Sequence, residues 1–485
     1  MNKSISKNII FKFLLNTFNL VVPIIIGPYV LRVLGPDLMG TINFSQTIYG
    51  YFFIFAGFGV YQYGLREISR FRDDKKKLSQ VYTSLFILTF ITNILTIISY
   101  VIFVQFNYSG TEIYVVCMIL TFNLLANIFY TEWVNEGLEN YDFITIKTII
   151  IRIVYVIFLF ILVRSANNLK EYMILLVLST FLNNIASYIY IRKKIPFDFS
   201  NLKLLKHIKP MFLVVILSNA NVLYTQLDRY FIGEYISMDS VAYYTIAQNI
   251  SNIINSLLLT VIYVTIPRMS NYIANESETE YKKLLDRISK IYLIILFPAS
   301  IGMFVLAKEI ILIYGGSEYM LASSMMKVFS LYIITLGYET ILSNQVMYVK
   351  GKEKEQVEFI FIGGIFNLIS NLILIRTGHF NGTTAIFTTM LANILVIILE
   401  HLYINYVMKL NFNIFSFDKI KYLIISLIFL PTTYILRYSI SNVILFTLLT
   451  ILINSIIYFL ILFYTKDKNF LEIVNKVINF KNKSN

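Results

Sequence analysis

The sequence is poor in the residues that most catalytic and metal-binding chemistry requires. Its 485 residues include three histidines, one cysteine and one tryptophan, Trp133, which we interpret as a membrane-interface anchor. A single cysteine, Cys117, excludes an internal disulfide framework and a metal site built from several thiolates. The histidines are isolated at predicted helix ends or loops, so we interpret them as interfacial side chains: His207, His379 and His401. Neither an H-E-x-x-H zinc motif nor a phosphate-binding Gly-Lys-Ser/Thr loop occurs, so we expect no enzymatic activity and no ATP hydrolysis.

Charged residues are also scarce. They make up 14% of the chain, against about 25% in a typical soluble protein. Hydrophobic residues make up 57%, and apolar runs of about twenty residues recur from end to end. Runs of that length cross the ~30 Å hydrocarbon core of a membrane as helices. Because the runs do not alternate with the period of two that is typical of membrane barrels, we predict an all-α integral membrane protein.

Loop charges predict the orientation of the spans. We predict about fourteen of them, at 9–31, 41–64, 80–105, 112–131, 147–164, 171–191, 210–232, 240–265, 289–307, 325–349, 357–376, 383–406, 420–437 and 442–464. The net charge of +13 lies mainly in alternate loops, which the positive-inside rule places in the cytoplasm together with both termini. These loops are 65–79, 192–209, 266–288, 350–356, 407–419 and the tail from Thr465. Since the positive charge serves membrane topology, we expect no nucleic-acid partner.

The basic loop after the sixth span divides the chain. We predict a six-helix lobe at 1–194, a basic cytoplasmic linker at 195–209, a second six-helix lobe at 210–407, and two further helices with a basic cytoplasmic tail at 408–485. A weak internal echo supports the repeat, because YVLRVLGPDLMGTINFSQTI resembles DRYFIGEYISMDSVAYYTIAQNI. Each stretch ends one helix, turns at Gly35 or Gly233, and begins another. Transporters are often built from such repeats.

Basic side chains inside predicted spans are the first candidates for substrate binding. A charge at the centre of a span costs about 2.5–3.5 kcal/mol on insertion scales, so it usually has a partner or faces a cavity. The candidates are Lys12, Arg32, Arg152, Arg229 and Lys327. Together they could neutralise an anionic headgroup. The alternative is that each side chain snorkels to a membrane interface.

Acidic side chains inside predicted spans are candidates for ion coupling. These are Asp228, Glu339 and Glu400, and Glu339 falls near the middle of its span. A buried carboxyl can bind a proton and release it when its surroundings hydrate. The alternative is a permanent ion pair with a buried arginine.

Asparagine pairs at helical spacing give a second polar signal. Each pair shares one helix face, so it could bind a sugar or join neighbouring helices by hydrogen bonds. The pairs are Asn123 with Asn127, Asn249 with Asn252, and Asn367 with Asn371.

Several stretches resemble a known family. The pattern LG-x-x-x-x-G, a polar and aromatic helix, FGV and LREISR is similar to the opening hairpin of bacterial polysaccharide flippases, the O-antigen and capsule repeat-unit translocases of the multidrug/oligosaccharidyl-lipid/polysaccharide exporter superfamily. The matching residues are Leu34, Gly35, Gly40, Phe58, Gly59, Arg66 and Glu67. QLDRYFIG, VAYYTIAQ and EIILIYGGSEY extend the resemblance over residues 8–400.

The resemblance implies a V-shaped, exporter-like fold and a flippase function. The substrate would be an undecaprenyl-diphosphate-linked oligosaccharide repeat unit, moved from the cytoplasmic to the outer leaflet of the bacterial cell membrane by alternating access, for cell-surface polysaccharide biosynthesis. It implies no cofactor beyond coupling to a proton or sodium gradient. Its implied partners are the polyprenyl-diphosphate-linked glycan, membrane lipid, and the polymerase and glycosyltransferases of the same pathway.

Two other functions remain as alternatives. A multidrug exporter of the same fold would carry organic cations and would favour acidic and aromatic cavity walls, whereas most of the spare charges in these spans are basic. A membrane polysaccharide polymerase or ligase would need a sizeable outer loop for its catalytic residues. Every predicted outer loop is short.

Overall fold

The structure is a computed structural model that describes residues 5–472, 474 and 475, except for the side chains of residues 5, 6, 9 and 217–225. Its regular elements in this part of the chain are all helical, which confirms the predicted all-α class. Nineteen α-helices are described here: α1 (Ile5–Gly57), α2 (Val60–Phe71), α3 (Lys75–Tyr108), α4 (Glu112–Asn127), α5 (Glu132–Gly137), α6 (Tyr141–Leu162), α7 (Leu169–Lys194), α8 (Leu204–Thr225), α9 (Leu227–Tyr235), α10 (Met238–Tyr263), α11 (Ile266–Ala274), α12 (Glu278–Val305), α13 (Ala307–Tyr314), α14 (Ala322–Leu342), α15 (Glu353–Arg376), α16 (Gly382–Leu402), α17 (Phe417–Ser426), α18 (Phe429–Ser439) and α19 (Val443–Tyr464).

Twelve helical segments within the described residues are long and apolar enough to cross a membrane. The predicted number of fourteen is therefore approximate. One continuous segment at 10–71 contains the first two predicted spans. The seventh predicted span, 210–232, includes side chains outside the described set and is not among the twelve. Large apolar side chains remain exposed along these helices, as lipid contact requires; on α19 they include Ile444, Leu448, Ile451 and Leu452. The chain is thus a multi-pass membrane protein.

The predicted turn after the first span is present as a break inside α1. Gly35 has φ 75° and ψ 172°, which is not helical. A positive φ is accessible to glycine at little cost because it has no Cβ. Pro36 follows directly and favours the start of a new helical stretch. The two halves of α1, before and after Gly35, therefore act as separate elements.

Packing divides the described residues into two compact units. The first ends at Ala242 and the second begins at Tyr243. In the first unit, α8 and α9 pack against α1, and α8 also packs against α2 and α3. The two compact units are defined by packing, whereas the two predicted lobes are defined by a repeat in the sequence. The boundary at Ala242 therefore does not test the predicted domain boundaries, which stay a prediction. In the second unit, α12, α14 and α16 form the centre, with α15 and α17 beside them.

The sequence predicts a turn at Gly233, and this is wrong, because α9 continues through Gly233 to Tyr235 and the chain turns at 236–237. The two similar stretches of sequence nevertheless touch in the first unit. A Cβ added to Gly40 would lie 1.8 Å from the Met238 carbonyl oxygen, and one added to Gly233 would lie 2.2 Å from the Phe44 ring. Gly40 follows Gly35 by five residues, and Met238 follows Gly233 by five residues. Equivalent positions of the two similar stretches therefore touch. Only glycine allows backbones to approach this closely.

The single tryptophan supports the core of the first unit. We had interpreted Trp133 as an interface anchor, and that prediction is wrong, because its side chain is 1% exposed. It packs against Tyr82 and lies so close to Gly64 that a Cβ there would approach the indole to 2.5 Å. Its indole Nε1 donates a hydrogen bond to the Tyr130 carbonyl at 3.2 Å. The missing Cβ of Gly64 and this internal acceptor let the amphipathic indole lie fully inside.

Candidate functional site

The first half of α1 lies alongside α6 in the first unit. The Thr145 hydroxyl donates to the Phe11 carbonyl at 3.1 Å, and the Tyr29 hydroxyl donates to the Val163 carbonyl at 2.7 Å. Both helices advance in the same direction along these contacts, so they run parallel. Side chains one or two turns apart on one helix therefore meet partners at matching heights on the other.

Two predicted substrate-binding residues lie along this helix pair. The Lys12 ammonium group is 5.3 Å from the centre of the Tyr141 ring, and Arg152 Nη1 donates to Asn19 Oδ1 at 2.5 Å. Lys12 and Asn19 are seven residues apart, which is two helical turns and about 10 Å on one face. Lys12 is exposed and Arg152 is half-buried. Lys12 contacts an aromatic ring and Arg152 an amide, so both positive charges remain available to an anion.

The remaining basic candidates of the first unit lie elsewhere. Arg32 is exposed, near the break in α1. Arg229 belongs to α9, where it donates a hydrogen bond to Gln226 one turn earlier. Its neighbour Asp228 is fully buried. Both charges act on Tyr51, which belongs to the second half of α1. The predicted basic residues of the first unit thus form two groups. Lys12, Arg32 and Arg152 lie in or beside the first half of α1, and Arg229 lies near its second half.

Lys327 belongs to the second unit. It is exposed near the start of α14, with its ammonium group 5.9 Å from the centre of the Phe304 ring. Glu339 follows twelve residues later on the same helix, a rise of about 18 Å. Lys327 therefore does not neutralise that carboxylate.

Two predicted ion-coupling residues lie on neighbouring helices of the second unit, α14 and α16. Glu339 of α14 is 9% exposed and accepts a hydrogen bond from Asn393 Nδ2 of α16 at 2.7 Å. Glu400 of α16 is fully buried and accepts one from the Ser343 hydroxyl at 2.8 Å. Glu339 lies near enough to Glu400 for its charge to influence the Glu400 carboxyl. Among the described residues, no lysine or arginine lies within ion-pair distance of either carboxylate, which disfavours the alternative of a permanent ion pair.

This carboxylate pair leaves hydrogen-bonding capacity unused. Glu400 Oε2 and Asn393 Oδ1 are buried acceptors without a partner. A buried acceptor without a donor costs about 1–3 kcal/mol, so such atoms call for an explanation. A π-helical segment directly follows α14 at Ser343–Tyr348, and another follows α16 at Tyr403–Val407. Single π-helical turns are rare and frequently accompany functional sites. Protons or a small cation are the ligands that carboxylate and amide oxygens suit best.

Sequence reasoning missed a buried ion pair in the first unit. Lys147 Nζ lies 3.1 Å from Glu132 Oε1, with side-chain exposures of 5% and 14%. The same ammonium group donates to the Ser187 hydroxyl at 2.6 Å and to the Asn183 carbonyl at 3.2 Å. This network joins α5, α6 and α7. The missed signal was a lysine at the beginning of a span with a glutamate fifteen residues before it.

The predicted asparagine pairs mostly join helices. Asn127 Nδ2 donates to Asn93 Oδ1 at 3.0 Å, which links α4 to α3. Asn367 Nδ2 donates to the Thr389 hydroxyl at 2.9 Å, which links α15 to α16. Interhelical amide bonds of this kind are common in membrane bundles. The Asn249 and Asn252 side chains are exposed. For this pair, sugar binding and hydrogen bonding between helices both remain as interpretations.

Comparison with known protein families agrees with the helical architecture. A family model described as "Polysaccharide biosynthesis protein" matches residues 5–273, which is more than half of the chain. The chain belongs to this family. A second model, described as MatE, matches residues 210–373. The polysaccharide biosynthesis family assignment covers the whole of the first unit, including Lys12, Arg152 and the Lys147–Glu132 pair.

Individual proteins support the same fold. The chain is 24% identical over 369 residues to a Shigella dysenteriae protein named "Putative O-antigen transporter", covering 75% of this chain and 91% of that protein. A solved structure titled "Lipid II flippase MurJ, inward closed conformation" superimposes with a TM-score of 0.75 at 17% identity, covering 95% of this chain and 99% of the other. An inward-facing multidrug resistance MATE transporter gives a TM-score of 0.59 at 14% identity, covering 80% and 94%. These likenesses show an exporter-like fold for this member of the polysaccharide biosynthesis family.

Proposed function

We propose that this protein is a flippase for lipid-linked oligosaccharides. It moves undecaprenyl-diphosphate-linked repeat units from the cytoplasmic to the outer leaflet of a bacterial cell membrane by alternating access, and so supplies cell-surface polysaccharide biosynthesis. The observation that carries the proposal is the family match over residues 5–273. The similarity to a protein named as an O-antigen transporter supports the same substrate class. In this function the chain is a transporter and not an enzyme.

The helix pair α1 and α6 offers a place for the substrate's diphosphate. Lys12 and Arg152 present two positive charges about two turns apart, each held by an uncharged partner. A guanidinium group binds phosphate oxygens through paired hydrogen bonds, and an ammonium group adds a point charge. Exposed apolar side chains of α6 nearby, such as Ile150 and Ile153, suit the lipid chain. Arg32, Arg229 and Lys327 stay predicted contributors.

The Glu339–Glu400 pair is the proposed coupling site. Two carboxyls that act on one another in a low-dielectric interior do not both ionise readily. One proton or one sodium ion bound at Glu400 neutralises one of the two charges and gives the unused Glu400 Oε2 a partner. Loss of that ion makes the buried state costly and drives a change of conformation. Asp228 stays a predicted coupling residue of the first unit.

We also propose the cellular setting. The protein lies in the bacterial inner or plasma membrane, with both termini in the cytoplasm, as the basic loops indicate. Its substrate would come from membrane-bound glycosyltransferases, and a polymerase would take up the product. Co-purification with these enzymes from crosslinked membranes tests the partnership.

Transport in proteoliposomes tests the proposed function. A polyprenyl-diphosphate oligosaccharide with a fluorophore on the glycan reports leaflet exchange when a membrane-impermeant quencher is added. We expect exchange by the wild-type protein and a reduction of about tenfold in Arg152→Ala, because a charge-assisted hydrogen bond contributes about 1.5–3 kcal/mol. Arg152→Lys should retain part of the rate. Arg164→Ala is the matched control, since Arg164 is exposed just beyond α6.

The alternative of an organic-cation exporter rests on the match at residues 210–373. The same proteoliposomes separate the two functions. Efflux of a fluorescent organic cation without exchange of the lipid-linked glycan would assign the chain to drug export. Exchange of the glycan without cation efflux supports the flippase.

A further inference from the structure

A charged pocket lies in the first unit, away from Lys12 and Arg152. It is a cavity of about 250 Å³ where the end of α2, the start of α3 and the start of α8 come together. Most of its lining lies in the segments 65–79 and 192–209, two of the basic loops predicted to be cytoplasmic. A cavity of this volume is smaller than the ~300–1,000 Å³ of most ligand sites, so it suits a compact group rather than an oligosaccharide.

Positive charge predominates in this pocket. Its lining includes the lysines Lys77, Lys203 and Lys206 and a single carboxylate, Glu67. Lys77 pairs with Asp74 outside the lining at 3.0 Å. Neither Lys203 nor Lys206 has an ion-pair partner within the described part of the chain. Two uncompensated ammonium groups therefore border the cavity.

A buried histidine supplies a polar contact. His207 is 4% exposed and lines the cavity. Its Nδ1 lies 2.8 Å from the Tyr63 hydroxyl, and its Nε2 has no hydrogen-bond partner among the described residues. When the Tyr63 hydroxyl donates to Nδ1, Nε2 carries the proton and can donate to a ligand. We had interpreted His207 as an interfacial side chain, and its burial shows that this prediction was wrong.

The beginning of α8 adds to the positive potential. This helix starts at Leu204, and the N–H groups of a first helical turn have no partners within their own helix. They carry the positive end of the helix dipole, which attracts anions. The Lys203 backbone N–H donates to the Ser84 hydroxyl at 3.4 Å, which fixes the start of α8 against α3.

A rigid core holds the walls of the pocket. Tyr63, Ile68, Leu78 and Ile195 belong to the buried cluster around Trp133. The pocket therefore exists before any ligand arrives, and binding requires little ordering of the walls.

We propose that this pocket binds a phosphate-bearing anion, with Lys203 and Lys206 neutralising its charge and His207 Nε2 donating a hydrogen bond. The chemistry fits the headgroup of an anionic lipid or a soluble diphosphate. The one carboxylate of the lining, Glu67, has a cation of its own, because Arg66 Nε lies 3.8 Å from it. The site is separate from the proposed substrate contacts and does not depend on the proposed function.

Anion binding should change the titration of His207. Burial lowers the pKa of this imidazole, the nearby Glu67 carboxylate raises it, and Lys206 lowers it further. Tyr63 and Glu67 face the ring from α2, Lys77 lines the same cavity from α3, and Lys206 lies beside it on α8. An anion next to Nε2 stabilises the charged imidazolium, so binding raises its pKa. The histidine thus reports occupancy directly.

Nuclear magnetic resonance of histidine-labelled protein tests the proposal. The full chain is placed in phosphatidylcholine nanodiscs at 0.15 M salt, where His207, His379 and His401 give three signals. One arm adds inorganic pyrophosphate, and the other replaces part of the lipid with phosphatidylglycerol. We expect either arm to shift the His207 signal and raise its pKa while the other two signals stay in place. A response to pyrophosphate alone identifies a soluble anion, and a response to phosphatidylglycerol alone identifies a lipid.

Variants of exposed lysines give the control. Lys206→Ala should weaken the response of His207 about tenfold, because one charge-assisted contact is lost. Lys193→Ala removes the same charge from the same basic region without touching the pocket, so it should leave the response unchanged. An unshifted His207 signal in both arms would overturn the proposal. Equal weakening by both variants would also overturn it, since that result means diffuse attraction to a basic surface.

Discussion

The two units contain buried charges of opposite character. In the first, the Lys147–Glu132 pair joins opposite charges, and the ammonium group is further bonded to Ser187 and Asn183. In the second, Glu339 and Glu400 bring like charges together. We call the first the closed pair and the second the open pair. The closed pair has its polar groups satisfied, whereas the open pair leaves Glu400 Oε2 without a partner.

We infer from this difference that the two pairs have different roles. A buried ion pair with full hydrogen bonding resists change, because separating its members leaves an uncompensated charge inside the protein. A pair of buried carboxyls responds to any proton or cation that reaches it. We infer that the closed pair holds helices α5, α6 and α7 in place while the open pair changes state during transport.

Removing the lysine of the closed pair should have the largest effect on stability. Lys147→Met leaves the Glu132 carboxylate buried without its cation, so we expect the free energy of unfolding to fall by about 3–5 kcal/mol. Denaturant unfolding in detergent micelles measures it. Lys193→Met on exposed surface is the control and should change stability by less than about 0.5 kcal/mol. Equal losses in both variants would mean that the pair does not stabilise the fold.

Removing the donor of the open pair should have an intermediate effect. Asn393→Ala takes away the hydrogen bond to Glu339, and we expect the free energy of unfolding to fall by about 1–3 kcal/mol. Asn249→Ala, at an exposed asparagine, is the matched control and should be close to neutral. The same unfolding measurement applies to both. If Asn393→Ala destabilised the protein as much as Lys147→Met, the contrast between the two pairs would be lost.

Neutralising one member of the open pair should change stability little. Glu400→Gln keeps the shape of the side chain and can still accept from Ser343, while the repulsion from Glu339 disappears. We expect the free energy of unfolding to stay within about 1 kcal/mol of wild type. A loss near 4 kcal/mol in micelles would show instead that the Glu400 carboxylate is structural.

A surface ion pair should give the smallest effect. Lys283 Nζ lies 2.8 Å from Glu280 Oε1, and both side chains are more than half exposed. Such pairs gain little because water screens them and two long side chains must be held in place. Lys283→Ala should therefore leave the unfolding temperature unchanged. A measurable decrease would indicate that the charged part of α12 contributes more than a solvated surface does.

The sequence was sufficient for the helical membrane class, the approximate positions of most spans, the break at Gly35 and the individual carboxylates. The length of an apolar run, a Gly-Pro dipeptide and a charge in the middle of a span are local signals. Each of them predicts its feature from residues that are close together in the sequence. Opposite charges at helical spacing after Ser277 are a further local signal, and this stretch forms the first part of α12. Which helices are neighbours is not a local signal. Glu339 and Glu400 are 61 residues apart, so their proximity required the fold.

Two errors have clear physical reasons. Glu132 belongs to the six-residue helix α5 outside the predicted spans, so nothing marked it as the partner of Lys147. Trp133 was assigned to an interface from its amphipathic side chain, yet Gly64 provides the space for the indole inside. One available signal was not used: Asn393 precedes Glu400 by seven residues, which puts both on one face of α16. That spacing could have predicted the open pair's donor.

Leaflet exchange under an imposed ion gradient tests the central claim most directly. Proteoliposomes containing wild type or Glu400→Gln receive the fluorescent polyprenyl-diphosphate oligosaccharide, with a proton or sodium gradient present or absent. We predict that a gradient of one of these ions accelerates exchange by the wild type and has no effect on the variant, which still folds. Wild-type protein that fails to exchange the lipid, or a variant that responds to the gradient as the wild type does, would contradict the account.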